Sequence, residues 1–87
     1  MFKYYVAFES AGLCVKKFKT ADKMRNYFEE EVFFWEYICR ELPMKTVYKS
    51  PISELRMNSL GDIVAYAMSE AEMRHVLHIA QKQQNDI

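Results

Sequence analysis

Glycine and proline are scarce in this chain of 87 residues, two of each. That scarcity excludes collagen-like and low-complexity designs and leaves no glycine-rich loop to cradle a phosphate. The two cysteines, Cys14 and Cys39, form neither a disulfide framework nor paired zinc-ligand spacing. They read as buried free thiols in a reducing cytoplasm. No apolar run approaches the roughly 20 residues of a membrane span, and the opening MFKYYVAFES alternates instead of forming the apolar core of a signal peptide. A soluble cytoplasmic protein with no membrane partner is therefore expected. An excess of one charge is missing as well. Twelve Lys and Arg face twelve Asp and Glu, so bulk charge does not drive the chain onto nucleic acid.

Recognisable catalytic chemistry is also absent. There is no Ser-His-Asp signature, and no local motif sets either cysteine beside a histidine. His75 and His78, three residues apart, fall short of the four ligands of a structural zinc site. The expectation is a non-enzymatic protein with no cofactor and no metal.

Apolar residues are plentiful, at 51%, and aromatics reach 15%, which excludes disorder and predicts one domain over residues 1–87. A chain this short buries only about 60–65% of its unfolded surface, so a homodimer or a bound partner is a natural source of further stability. The charges are segregated along the chain. Residues 1–25 hold six bases (Lys3, Lys16, Lys17, Lys19, Lys23, Arg25) and two acids (Glu9, Asp22), whereas residues 26–42 hold five acids (Glu29, Glu30, Glu31, Glu36, Glu41) and one base, Arg40.

Periodicity assigns most elements. Phe2 to Glu9 alternates as a half-buried strand, and a turn at Ser10-Ala11-Gly12 leads to a return strand from Leu13 to Lys19, with a bulge next to Gly12 to repair its register. Lys16, Lys17 and Lys19 suit an edge strand kept soluble by its charges. Thr20 suits a helix N-cap. From Ala21 to Leu42 the spacing predicts a helix that Pro43 ends, with an apolar arc of Met24, Tyr27, Phe28, Val32, Phe34, Trp35, Ile38, Cys39 and Leu42. Glu31 projects into that arc, so a tyrosine hydroxyl, a base or solvent should meet it. Met44 to Ser50 has strand composition, and Pro51 begins either a single helical turn or a loop over 51–57. Gly61 to Met68 reads as a strand. Ser69-Glu70-Ala71-Glu72 is a capping box for a helix reaching about Gln84, with Met73, Val76, Leu77 and Ala80 inward.

An offset of 49 residues carries Gly12, Val15, Thr20, Met24 and Arg25 onto Gly61, Val64, Ser69, Met73 and Arg74. This favours ββαββα, with a ββα unit followed by a mainly helical C-terminal half as the other arrangement. Both are α+β folds: a small antiparallel sheet with two helices packed on one face.

Two surfaces stand out. Phe33 and Tyr37, four apart, fall among Glu29, Glu30, Glu36 and Arg40 on the side of the long helix away from Met24, which predicts a protein-binding surface unless the 44–60 segment covers it. The alternative is a nucleic-acid surface built from Lys3, Tyr5, Lys16, Lys17 and Lys19 on the first hairpin, with Arg74, His75, His78 and Lys82 as a second basic stripe. The first predicts a regulator or inhibitor, of the kind common among accessory proteins of mobile genetic elements, acting on a protein partner that the sequence does not name.

Overall fold

The computed structural model describes residues 3–9, 12–38 and 43–86. The elements are β1 (Tyr4–Glu9), β2 (Leu13–Phe18), α1 (Ala21–Ile38), β3 (Lys45–Ser50), β4 (Ser53–Met57), β5 (Ile63–Ala67) and α2 (Glu70–Asn85). All five strands join one antiparallel sheet in the order β2-β1-β5-β4-β3. The fold is α+β, as expected, with one strand more than ββαββα. The extra strand comes from 51–57, which is neither a helical turn nor a loop. Pro51 and Ile52 form the two-residue turn between the paired Ser50 and Ser53. Proline's fixed φ suits the first central position of such a turn as well as it suits a helix start, and Leu55 and Met57 then alternate with Glu54 and Arg56.

The two helices lie on opposite faces of the sheet, not on one. Val6, Val64 and Tyr66 pack with Met24, Phe28 and Val32 of α1, and Tyr4 and Phe8 join them. The alternate residues Ala7, Ala65, Ala67, Leu55 and Ile63 pack with Met73, Val76 and Ala80 of α2. Successive strand side chains point to opposite faces, so this parity places one helix above the sheet and one below. The cause is visible in β5, where Ile-Val-Ala-Tyr-Ala is apolar on both faces and every residue is buried. A continuous apolar strand needs cover on both sides. Alanines on the α2 side let that helix approach closely.

Shifting the β1–β2 register by 49 residues reproduces that of β4–β5: Tyr4↔Phe18 becomes Ser53↔Ala67, and Phe8↔Cys14 becomes Met57↔Ile63. Helix entry is shared too. Lys23 N–H donates to Thr20 Oγ1 at 3.2 Å, and Glu72 N–H to Ser69 Oγ at 3.1 Å. The units are nevertheless not copies in space. β2 lies on the same side of β1 as β5 does of β4, and equivalent strands run the same way, yet the helices occupy opposite faces. No rotation superimposes two such units, so the likeness is one of local design.

Two local expectations change. The β1–β2 register is continuous and carries no bulge; the irregularity falls in β3, between Thr46 and Tyr48. Ser69 caps α2, but the Glu72 carboxylate does not return to the cap. It accepts the hydroxyls of Ser53 at 2.5 Å and Ser50 at 3.4 Å, because Ser53 is fully buried under the helix start and its hydroxyl needs a partner. The predicted extension of α1 to Leu42, with Cys39, lies outside the described residues. Between β4 and β5, Asn58 Oδ1 accepts the N–H groups of Leu60 and Asp62, and Gly61 takes the positive φ of 88°. Among the described residues no helix is long and apolar enough to cross a membrane.

Candidate functional site

The outer face of α1 is the most unusual surface of the molecule. Met24, Phe28 and Val32 face the sheet and are buried, and Trp35 packs at the margin of that cluster. Phe33 is 72% exposed and Tyr37 62%, so the 44–60 segment, which reaches α1 through Met44 and Arg56, does not cover them. Phe34 departs from expectation: it is 51% exposed, although the apolar arc included it. At 100° per residue it lies about 120° round the helix from Phe28, whereas Val32 and Trp35 lie within about 40°. Its ring meets the Trp35 ring edge-on at 5.9 Å. Three rings thus share one patch. Glu29 and Glu30 beside them are exposed and Glu36 is half-buried, whereas Arg40 lies outside the described residues.

Ion pairs fix one flank of this patch. Arg56 of β4 donates through Nε to Glu54 Oε2 at 2.7 Å, reaches Glu29 Oε1 at 3.6 Å, and stacks 5.2 Å from the Phe28 ring. Thr46 Oγ1 also donates to Glu54, at 3.1 Å. Burial pulls the Arg56 pKa down, but the hydrogen bond and charge of Glu54, with Glu29 and Glu36, outweigh it and raise the pKa above its ordinary value. The guanidinium therefore stays charged and neutralises the buried Glu54. On the other flank Glu31, half-buried, is met by a tyrosine hydroxyl, that of Tyr27. Burial first, then the hydrogen bond to Glu31, pushes Tyr27 up to about 12. The Tyr27 ring also lies 5.2 Å from that of Phe18 and 5.8 Å from the Lys16 ammonium.

The basic residues of the nucleic-acid alternative are divided by the pleat. Lys16 pairs with Val6 on the α1 side, while Lys17 pairs with Tyr5 on the α2 side. Lys3 and Lys19 are exposed. Of the α2 stripe, only Arg74 joins the hairpin: Tyr5, Lys17 and Arg74 line one cavity of about 260 Å³ together with Glu70, which Arg74 meets at 2.7 Å. His75 rests edge-on against Tyr48 at 5.6 Å, and His78 and Lys82 are exposed. Among the described residues no three His, Cys, Asp or Glu side chains converge as metal ligands would. Cys14, expected to be buried, is exposed, because β2 is an edge strand.

Sequence reasoning missed the Glu54–Arg56 pair and the Glu72–Ser53 tie. Both depend on reading 53–57 as a strand, and the alternation of Leu55 and Met57 was the available signal. Comparison with protein-family models, curated proteins and solved structures finds no match to this chain.

Proposed function

We propose that this protein is a cytoplasmic protein-binding module, a regulator or inhibitor that engages a protein partner through the aromatic and acidic outer face of α1. The observation that carries this reading is the joint exposure of Phe33, Phe34 and Tyr37 on a helix whose opposite face already fills the core. Each ring offers roughly 150–250 Å², so the patch presents on the order of 350 Å², near the largest apolar patch a monomer usually shows. A standard interface takes about 800 Å² per partner, so the rings act as its anchoring centre and the charged margin completes it. Glu29 and Glu30 call for a basic rim around the partner's apolar pocket. The divided basic residues, by contrast, leave the nucleic-acid alternative without a continuous track.

The test is capture of partners from the native host, followed by reconstitution with the purified captured protein. The Phe33→Ser/Tyr37→Ser variant should keep the fold and weaken binding at least about 30-fold, as for two hot-spot aromatics. Equal binding by wild type and variant rejects the reading. Sedimentation of both proteins checks whether the patch instead joins two copies of the chain.

A further inference from the structure

The two edges of the sheet are unequal. The β3 edge is broken by its bulge, whereas β2 runs six residues in continuous register. The ladder shows which way the β2 backbone points. Met68 N–H donates to Ile52 C=O at 3.0 Å and Asn58 N–H to Asp62 C=O at 3.1 Å, both in the β4–β5 register. Even-numbered residues of β5 therefore bond toward β4 and odd-numbered ones toward β1, since bonded and non-bonded pairs alternate in an antiparallel ladder. Even-numbered residues of β1 in turn bond toward β2, through Tyr4↔Phe18, Val6↔Lys16 and Phe8↔Cys14. Leu13, Val15 and Lys17 are left with N–H and C=O groups directed out of the edge.

The side chains of these same residues lie on the α2 face, where the helix covers β1, β5 and β4 but stops short of β2. Leu13 is 52% exposed and Val15 43%. Two cavities follow the strand. One of about 300 Å³ is lined by Leu13, Ile63, Leu77 and Ala80, and the other, of about 260 Å³, by Val15, Lys17, Tyr5, Met73 and Arg74. An open edge with pockets beneath alternate positions is the arrangement that receives an added strand, the backbone supplying affinity and the pockets specificity.

We propose that β2 accepts an extended acidic peptide segment of a partner protein as a sixth strand, its alternate side chains entering the two cavities. Charge selects this occupant. β2 holds Lys16 and Lys17 and no acid, and Lys17 lines the second cavity beside Arg74 and its partner Glu70. A second copy of the chain would bring four lysines onto one ladder without a compensating acid. Nucleic acid lacks the alternating N–H and C=O groups that would continue the ladder at Leu13, Val15 and Lys17. This surface is separate from the outer face of α1, so either can fail alone.

The probe is a fluorescent ten-residue peptide alternating Glu and Val, titrated at low and moderate salt. Binding should weaken at least tenfold in Lys17→Glu and in Val15→Pro. Proline at Val15 removes an outward donor and no ladder bond, and circular dichroism verifies the fold of each variant. Two further peptides make the outcome independent of variant folding: N-methylation of every valine and of every glutamate should abolish binding in only one of the two. The Phe33→Ser/Tyr37→Ser variant should bind the peptide as wild type does. The proposal is overturned by absence of binding, by equal binding of both N-methylated peptides, or by unchanged affinity in a folded Val15→Pro. It is also overturned if Val15→Pro dissolves a wild-type dimer, which assigns the edge to a second copy, or if a single-stranded oligonucleotide displaces the peptide and binds with equal affinity.

Discussion

The two helices divide the work of the fold differently. On α2 the apolar residues Met73, Val76 and Ala80 are buried against the sheet, and apart from Ala71 the exposed positions are polar or charged, among them Arg74, His78, Gln81 and Lys82. Folding alone accounts for that pattern. On α1, Met24, Phe28 and Val32 do the same packing, yet Phe33, Phe34 and Tyr37 face away from it. Three large rings held outward cost solubility without adding to the core. They require a second explanation, and binding is the one their clustering supports.

Core truncation is the strongest way to break this contrast. Phe28→Ala should cost about 3–5 kcal/mol and Met73→Ala about 2–5 kcal/mol, because both side chains are buried and each leaves a cavity. Phe33→Ala should stay within about 0.5 kcal/mol of wild type, as exposed substitutions do. Urea unfolding measures all three. A loss above about 1 kcal/mol for Phe33→Ala would make the outer face part of the folding core. The ties of each helix to the sheet provide the next test. Glu72→Ala removes the carboxylate that accepts both the fully buried Ser53 hydroxyl and that of Ser50, leaving the two hydroxyls only each other at 2.7 Å, and should cost about 2 kcal/mol. Glu29→Ala removes only an exposed pair with Arg56 and should cost less than about 1 kcal/mol.

How much of this was legible in the sequence depended on whether the signal was local. The strands β1, β2, β3 and β5, both helix starts and the outward aim of Phe33 and Tyr37 followed from periodicity and capping residues. The strand β4 did not, because Ser50-Pro51 serves a helix start and a hairpin turn equally and five residues are too few to separate their periods. The side of the sheet taken by α2 was recorded in the two-faced apolar run of β5, but an apolar run with alanine at 65 and 67 suits a helix as well as a strand covered on both faces, which masks the signal. The Glu72 and Arg56 ties join residues far apart in the chain or hang on β4, and no local rule finds them. The edge position of β2 was legible in its lysines, but the outward direction of Leu13, Val15 and Lys17 follows only from the strand order, which joins β1 to β5 across more than fifty residues.

Smaller effects than core truncation test where the helices are alike and where they part. Ser69→Ala and Thr20→Ala should each cost about 1 kcal/mol, since each hydroxyl accepts one free N–H of a first turn. Tyr27 marks the difference, because the 49-residue offset sets it opposite Val76: where α2 buries a valine, α1 places a phenol against Glu31. Burial and that carboxylate raise the Tyr27 pKa from 10.0 to about 12 in the folded protein. An unfolded tyrosine ionises near the lower value, so the folded state holds this proton more tightly. The stability it contributes is whole below pH 10.0 and is lost as the pH rises toward 12. Absorbance titration should show a late ionisation that is missing from Tyr27→Phe, and the decline in unfolding free energy across that window should be shallower in the variant. An unchanged titration would mean that Tyr27 is hydrated like any surface phenol, and that its hydroxyl does not satisfy Glu31.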